Sequence, residues 1–224
     1  LTNGNVHGII VLNVYNERLL RLLAETQIPK VFLDTSSLVA PDELNGDLLL
    51  MESRTSVRRI TCHLLEQGRT LPGFIGDVSY AQSNRERYEG FCQALMDAGK
   101  TPNPSLCLTT PLGIDSYREE IDSFLSSLSR MPDAFVCASD YVACILMQLL
   151  EKRGLRVPED VAVSGFDNNT EDLLAEHLTT VQVFNEELGA RLALQILYRI
   201  KYPNTPHEIT YLGTNVLYRD STGD

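Results

Sequence analysis

The feature that most constrains this chain is a regular alternation of short apolar runs with amphipathic segments of ten residues or more. Val6–Leu12 reads as a buried strand, and Glu17–Thr26 as a helix with leucines at 19, 20, 22 and 23. Ile28–Asp34 and Asp47–Met51 are the next strands, and the helix after them carries Val57, Ile60, Leu64 and Leu65 on one face. Thr70–Gly76 is short and apolar despite Pro72, so it is expected as a strand. Ser83-Asn-Arg-Glu86 and Ser116-Tyr-Arg-Glu119 have capping-box spacing. The first is expected to open a helix striped by Tyr88, Phe91, Cys92, Leu95 and Met96, the second one with Ile121, Phe124, Leu125 and Leu128 inside. Leu106–Thr109, Ala134–Ala138, Val161–Ser164 and Thr179–Val183 complete the strands, and Leu188 to Ile200 marks a long final helix.

Helical crossovers of this length join parallel neighbours, so the expected fold class is α/β, with mainly parallel sheets flanked by helices. In such sheets ligands sit beyond the carboxyl ends of the strands. That rule singles out Asp34, Glu52, Ser139, Asp140 and Asp167, each of which follows an expected strand.

Several function classes lack their signatures. The chain has no GxGxxG or GxxxxGK[ST] loop, no GxSxG elbow and no HExxH helix. His7, His63, His177 and His207 are scattered, and the pairs Glu119-Glu120 and Glu186-Glu187 sit at helix starts, where the helix dipole favours them. No metal site or cofactor is expected. The formal net charge of -11 argues against nucleic-acid binding by this segment's overall field. Cys62, Cys92, Cys107, Cys137 and Cys144 are odd in number, form no CxxC pair and read as reduced, buried thiols. No apolar run approaches bilayer length, so no membrane partner is expected, and the opening residues show no leader pattern.

Pro132-Asp-Ala-Phe-Val-Cys-Ala-Ser-Asp140 and the stretch Leu150 to Asp167, ending Val161-Ala-Val-Ser-Gly-Phe-Asp167, resemble the lactose-repressor family of bacterial regulators. Leu178-Thr-Thr-Val181, Glu187-Leu-Gly189, Val216 to Ser221, His7-Gly-Ile-Ile10, Pro29 to Asp34 and Arg87-Tyr-Glu-Gly-Phe91 fit the same pattern in the same order. The resemblance implies a two-lobed, periplasmic-binding-protein-like sensor that starts at the family's third sensor strand. Its expected partition is a partial N-terminal lobe over 1–79, a C-terminal lobe over 80–182, and a crossover helix with a returning terminal segment over 183–224.

The resemblance also implies roles. Arg87 falls on the family arginine that grips polar effector groups, and Asp167 on the aspartate that accepts ligand hydrogen bonds from the opposite lobe. Ser83 and Asp34 match further ligand-binding positions, Ser139 stands where asparagine is frequent, and Asp140 belongs to the ligand motif or caps its helix. Ser83 also fits a helix N-cap, and Asp34 and Asp167 also fit strand ends. Val183, Glu52, Gly68-Arg-Thr70 and Glu176-His177 depart from the family pattern.

The function so implied is a cytoplasmic, non-enzymatic effector sensor for a transcriptional regulator. It would bind a sugar or related small polar metabolite between two lobes as a homodimer, and contact operator DNA through an N-terminal domain outside this chain. The alternative is a secreted sugar-binding receptor for transport. An enzyme on the same scaffold would need a clustered base and nucleophile, and the sequence supplies no such pair.

Overall fold

The computed structural model describes residues 6–113, 115–169 and 176–224. The opening five residues, read above for a leader, lie outside them. The strands are β1 (Ile9–Leu12), β2 (Lys30–Leu33), β3 (Asp47–Met51), β4 (Pro72–Ile75), β5 (Cys107–Leu108), β6 (Ala134–Cys137), β7 (Ala162–Ser164), β8 (Thr180–Gln182), β9 (Ile209–Leu212) and β10 (Asn215–Leu217). The helices are α1 (Glu17–Ala24), α2 (Arg54–Glu66), α3 (Gln82–Asp97), α4 (Tyr117–Ser127), α5 (Asp140–Lys152) and α6 (Asn185–Lys201).

Packing divides the described residues into two compact units. The first draws on Leu1–Glu52, Ser79–Ser83 and Phe184–Gly213, and the second on Ser53–Val78, Asn84–Val183 and Thr214–Asp224. This differs from the expected partition at 79/80 and 182/183. The reason is hydrogen bonding: β4 pairs in parallel with β6, which carries residues 53–78 into the second unit. Likewise β9 pairs in parallel with β3, which returns the segment after α6 to the first unit.

The first unit holds a parallel sheet in the order β1-β2-β3-β9. Both faces of its inner strands are covered, which explains why β2 and β3 read as continuous apolar runs rather than as alternating ones. Phe32, Leu48 and Leu50 pack with Leu20 of α1 on one side. Val31, Leu33 and Leu49 pack with Leu188, Leu192 and Ile196 of α6 on the other. β1 is an outer strand, and its Ile10 and Leu12 are exposed.

The second unit holds the parallel sheet β5-β4-β6-β7 and the small antiparallel pair β10-β8. Phe135, Val163, Ile121, Leu146 and Leu149 form a core with α4 and α5. Across the sheet, Phe74 meets Tyr88 and Phe91 of α3, with ring centroids 5.1 and 5.6 Å apart. No described helix is long and apolar enough to cross a membrane.

Two local expectations need correction. Ser83 does not cap α3, because the helix begins one residue earlier, at Gln82; its hydroxyl bonds Asp34 instead. At α4 the hydroxyl of Ser116 donates to Glu120 rather than pairing with Glu119, and Glu120 also accepts from the Gly113 amide at 3.0 Å.

Candidate functional site

In the second unit, two strands deliver polar groups at their carboxyl ends. After β6, Ser139 is extended and its hydroxyl accepts from the Val142 amide at 3.3 Å, which makes it the N-cap of α5. Asp140, expected as ligand contact or cap, is neither exposed nor the cap. It is 2% exposed, and its carboxylate accepts from the Thr180 hydroxyl at 2.6 Å and the Asn169 amide at 2.7 Å. Burial pushes its carboxyl up to about 6, with Asp167 adding to the rise and the Thr180, Asn169 and Arg219 contacts opposing it.

β7 leads into Gly165-Phe166-Asp167. A side chain at Gly165 would place its Cβ 2.2 Å from Asp140 Oδ1, so the close passage of Asp140 requires glycine there. The Gly165 amide donates to Thr179 O at 2.8 Å and that of Asp167 to Val181 O at 3.1 Å. Asp167 has φ 107 and Asn168 φ 51, both in the left-handed region. The bend is fastened by Asn168 Nδ2 to Gln182 Oε1 at 2.5 Å and by Arg219 Nη2 to Asn168 Oδ1 at 2.8 Å.

Arg87 meets this bend from the second turn of α3. It is 4% exposed, and its guanidinium lies 3.6 Å above the Phe166 ring. Nη1 donates to Ala138 O and, at 3.3 Å, to Asn84 Oδ1. Nη2 stands 3.6 Å from Asp167 Oδ1, an ion-pair distance too long for a hydrogen bond. Buried Nε has no acceptor among the described residues. Surrounding protein raises the Asp167 carboxyl while Arg87 holds it down. Because 43% of the Asp167 side chain is open, solvent limits that rise.

This arrangement corrects an expectation. Arg87 and Asp167 are not on opposed lobes; both belong to the second unit and face one another. The cause is α3: only its Gln82 and Ser83 belong to the first unit, and the rest follows β4 into the second.

Asp34 and Ser83 come together in the first unit. Asp34 has φ 59 and is 2% exposed. Its carboxylate accepts from the Thr35 amide at 2.7 Å, the Ser83 amide at 3.3 Å, the Ser83 hydroxyl at 2.6 Å and the Tyr15 hydroxyl at 3.3 Å. Four bonds fill a carboxylate's acceptor sites, so Asp34 fastens the strand end to α3. Beside it Tyr15 and Tyr80 pack with ring centroids 4.2 Å apart, and Tyr80 is exposed. Sequence reasoning missed this pair, because 65 residues separate the two tyrosines. It also missed Phe166 as the seat of Arg87, although the Gly-Phe-Asp motif contained it.

With the geometry in place, comparisons with known proteins fix the lineage. The periplasmic binding protein-like domain family matches residues 61–222. The HTH-type transcriptional repressor PurR of Aliivibrio fischeri (strain MJ11) is 30% identical over 225 residues, covering 99% of this chain and 66% of that protein. PurR of Pasteurella multocida (strain Pm70) is 27% identical, again over 99% of this chain and 66% of its own length. The chain therefore spans just under two thirds of these curated relatives, which are repressors rather than enzymes. The solved complex of transcriptional regulator CelR with cellobiose superposes with a TM-score of 0.85 at 27% identity, over 98% of this chain and 67% of that one. A putative LacI-family transcriptional regulator from Sanguibacter keddieii gives 0.75 at 26% identity, over 90% and 75%. The chain belongs to the periplasmic binding protein-like domain family, as an effector-binding region of the LacI-family regulators.

Proposed function

We propose that this region senses a sugar or a related small polar metabolite for a cytoplasmic transcriptional regulator, and that effector binding changes the affinity of a homodimer for operator DNA read by another domain. The observation that carries the reading is Arg87: a buried guanidinium, seated on Phe166, whose Nε has no acceptor among the described residues and whose Nη2 makes only a 3.6 Å ion pair with a half-open carboxylate. A polyhydroxylated ligand supplies what these groups lack. Its oxygens accept from the guanidinium and its hydroxyls donate to Asp167. An unmatched buried polar group costs about 1–3 kcal/mol, so a ligand that satisfies it gains on one that does not. The likeness to a regulator solved with cellobiose supports a saccharide as the first class to test.

The test is thermal stabilisation of the protein by monosaccharides, disaccharides and nucleosides. A ligand at one hundred times its Kd adds about 2.7 kcal/mol. Arg87→Ala would test the fold as well as the site, because truncation strips Ala138 O and Phe166 of their partner. Arg87→Lys keeps the charge and loses the planar fork, and should weaken the best effector by about tenfold or more. Unchanged effector affinity in Arg87→Lys removes Arg87 from the binding site and refutes the reading.

A further inference from the structure

At the amino ends of β2 and β3 the first unit has a half-open pocket of about 100 Å³. β2 is four residues long, so at about 3.3 Å per residue this pocket lies roughly 13 Å from the Asp34 end of the strand. No acidic residue lines it, in a chain of net charge -11. Its wall includes Lys30, Arg199, His207, Asn45 and Thr26.

The charges there do not balance. Arg199 is 2% exposed and fully engaged: Nε and Nη2 go to Asp47 at 3.0 and 2.5 Å, while Nη1 and Nη2 also reach Thr205 O and Pro206 O at 2.6 and 2.9 Å. Asp47 thus neutralises Arg199 and leaves nothing for Lys30. Lys30 is also 2% exposed, and its ammonium donates to Thr26 O at 2.9 Å and Asn45 O at 3.0 Å. Two carbonyls use two of its three protons and supply no countercharge. No carboxylate among the described residues lies within ion-pair distance of it. Gly46 makes the burial possible, since a Cβ there would meet Lys30 Cγ at 2.5 Å. Desolvation lowers the Lys30 pKa, the penalty of holding an unneutralised cation in protein.

We propose that this pocket is a small-anion site, taking an inorganic oxyanion of phosphate size, with Lys30 as its fixed charge and His207 at its rim. The missing countercharge is what the anion supplies, and the volume of about 100 Å³ matches a small anion. The site is independent of the effector reading, because its residues belong to the first unit and Arg87 and Asp167 to the second.

The experiment titrates the protein with sodium phosphate, following the phosphorus line width and the melting temperature, with sodium chloride at matched ionic strength as control. Wild type is expected to give a saturable response. Lys30→Met and His207→Glu should each weaken it about tenfold or more, the second by placing a like charge against the anion. His207 is exposed, so His207→Glu decides the matter if Lys30→Met fails to fold. A linear response in wild type would be the general exclusion effect of phosphate on all proteins and overturns the proposal. So does a wild-type response in His207→Glu. A saturable response equal in chloride keeps a small-anion site and overturns its oxyanion assignment.

Discussion

Asp140→Asn separates the cost of a buried charge from the value of the bonds it makes. In the folded chain the Asp140 carboxyl is raised from 3.8 to about 6 by burial, a rise of about two pH units. At 1.36 kcal/mol for each, ionised Asp140 costs roughly 3 kcal/mol of stability at neutral pH. The sign follows from proton counting. Between the unfolded and folded pKa values the native state holds the proton more often, so the contribution is fully present below pH 3.8 and is lost as pH rises through about 6. Asparagine cannot ionise. Its Oδ1 can accept from the Asn169 amide and its Nδ2 can donate to the Thr180 hydroxyl, which then accepts, the same arrangement that a protonated Asp140 makes. In acid both proteins therefore carry a neutral group with the same partners, and at neutral pH only wild type bears the buried charge. Urea denaturation of both proteins between about pH 4 and pH 7 should show the variant gaining some 2–3 kcal/mol on wild type as pH rises. Parallel stability curves would mean that Asp140 titrates alike in both states, and would refute the account of its burial.

Three further perturbations test other joints of the structure. Asp47→Asn leaves Arg199, 2% exposed, without its buried countercharge, and should cost about 3–5 kcal/mol by urea denaturation; a loss under about 1 kcal/mol would show the pair to be dispensable. Gly165→Ala drives a methyl to 2.2 Å from Asp140 Oδ1 and 3.0 Å from Leu178 Cδ2, so it should lower the melting temperature and, by displacing the Phe166–Asp167 bend, weaken effector stabilisation. A melting temperature equal to wild type would place that backbone elsewhere. Ser139→Ala removes the N-cap of α5 and should cost about 1 kcal/mol in the same denaturation assay, with an unchanged value indicating that the cap contributes nothing.

The alternating architecture was legible because β2, β4 and β6 are buried along their whole length, β3 along all but Met51, and the helices between them carry one apolar face each. β9 and β10 escaped notice for the converse reason. β9 alternates exposed and half-buried residues at the end of its sheet, and β10 is three residues paired only with β8, so neither carries an apolar run. The candidate residues were found by their place after strands, a local property. Their partners were not, because the chain divides between units at places set by strand pairing far along the sequence. Arg87 and Asp167 are 80 residues apart, and only the parallel pairing of β4 with β6 and of β6 with β7 brings their elements into one sheet. Ser83 misled for a smaller reason: its spacing to Glu86 imitates a capping box, while one extra residue of helix moves it inside α3.

The two aspartates expected at the site differ in what they have left to give. Asp34 accepts four hydrogen bonds and is closed to solvent, so its chemistry is spent on holding Ser83 and Tyr15. Asp167 faces Arg87 at 3.6 Å, makes no tight bond with it, and keeps 43% of its side chain open. Its backbone sits at φ 107, a conformation that costs a non-glycine residue of order 1–3 kcal/mol and persists because Val181 O and the Asn168–Gln182–Arg219 network hold it. Folding thus meets the cost of aiming the carboxylate before any ligand arrives. Arg87 is fixed in the same way by Ala138 O, Asn84 and Phe166, so neither side chain need lose much freedom on binding. A ligand hydroxyl entering beside this pair breaks no strong bond and fills acceptor and donor positions already set. That spare, oriented capacity separates Arg87 and Asp167 from the saturated Asp34 and the buried Asp140, and it is why we propose the second unit's pair as the place of effector discrimination.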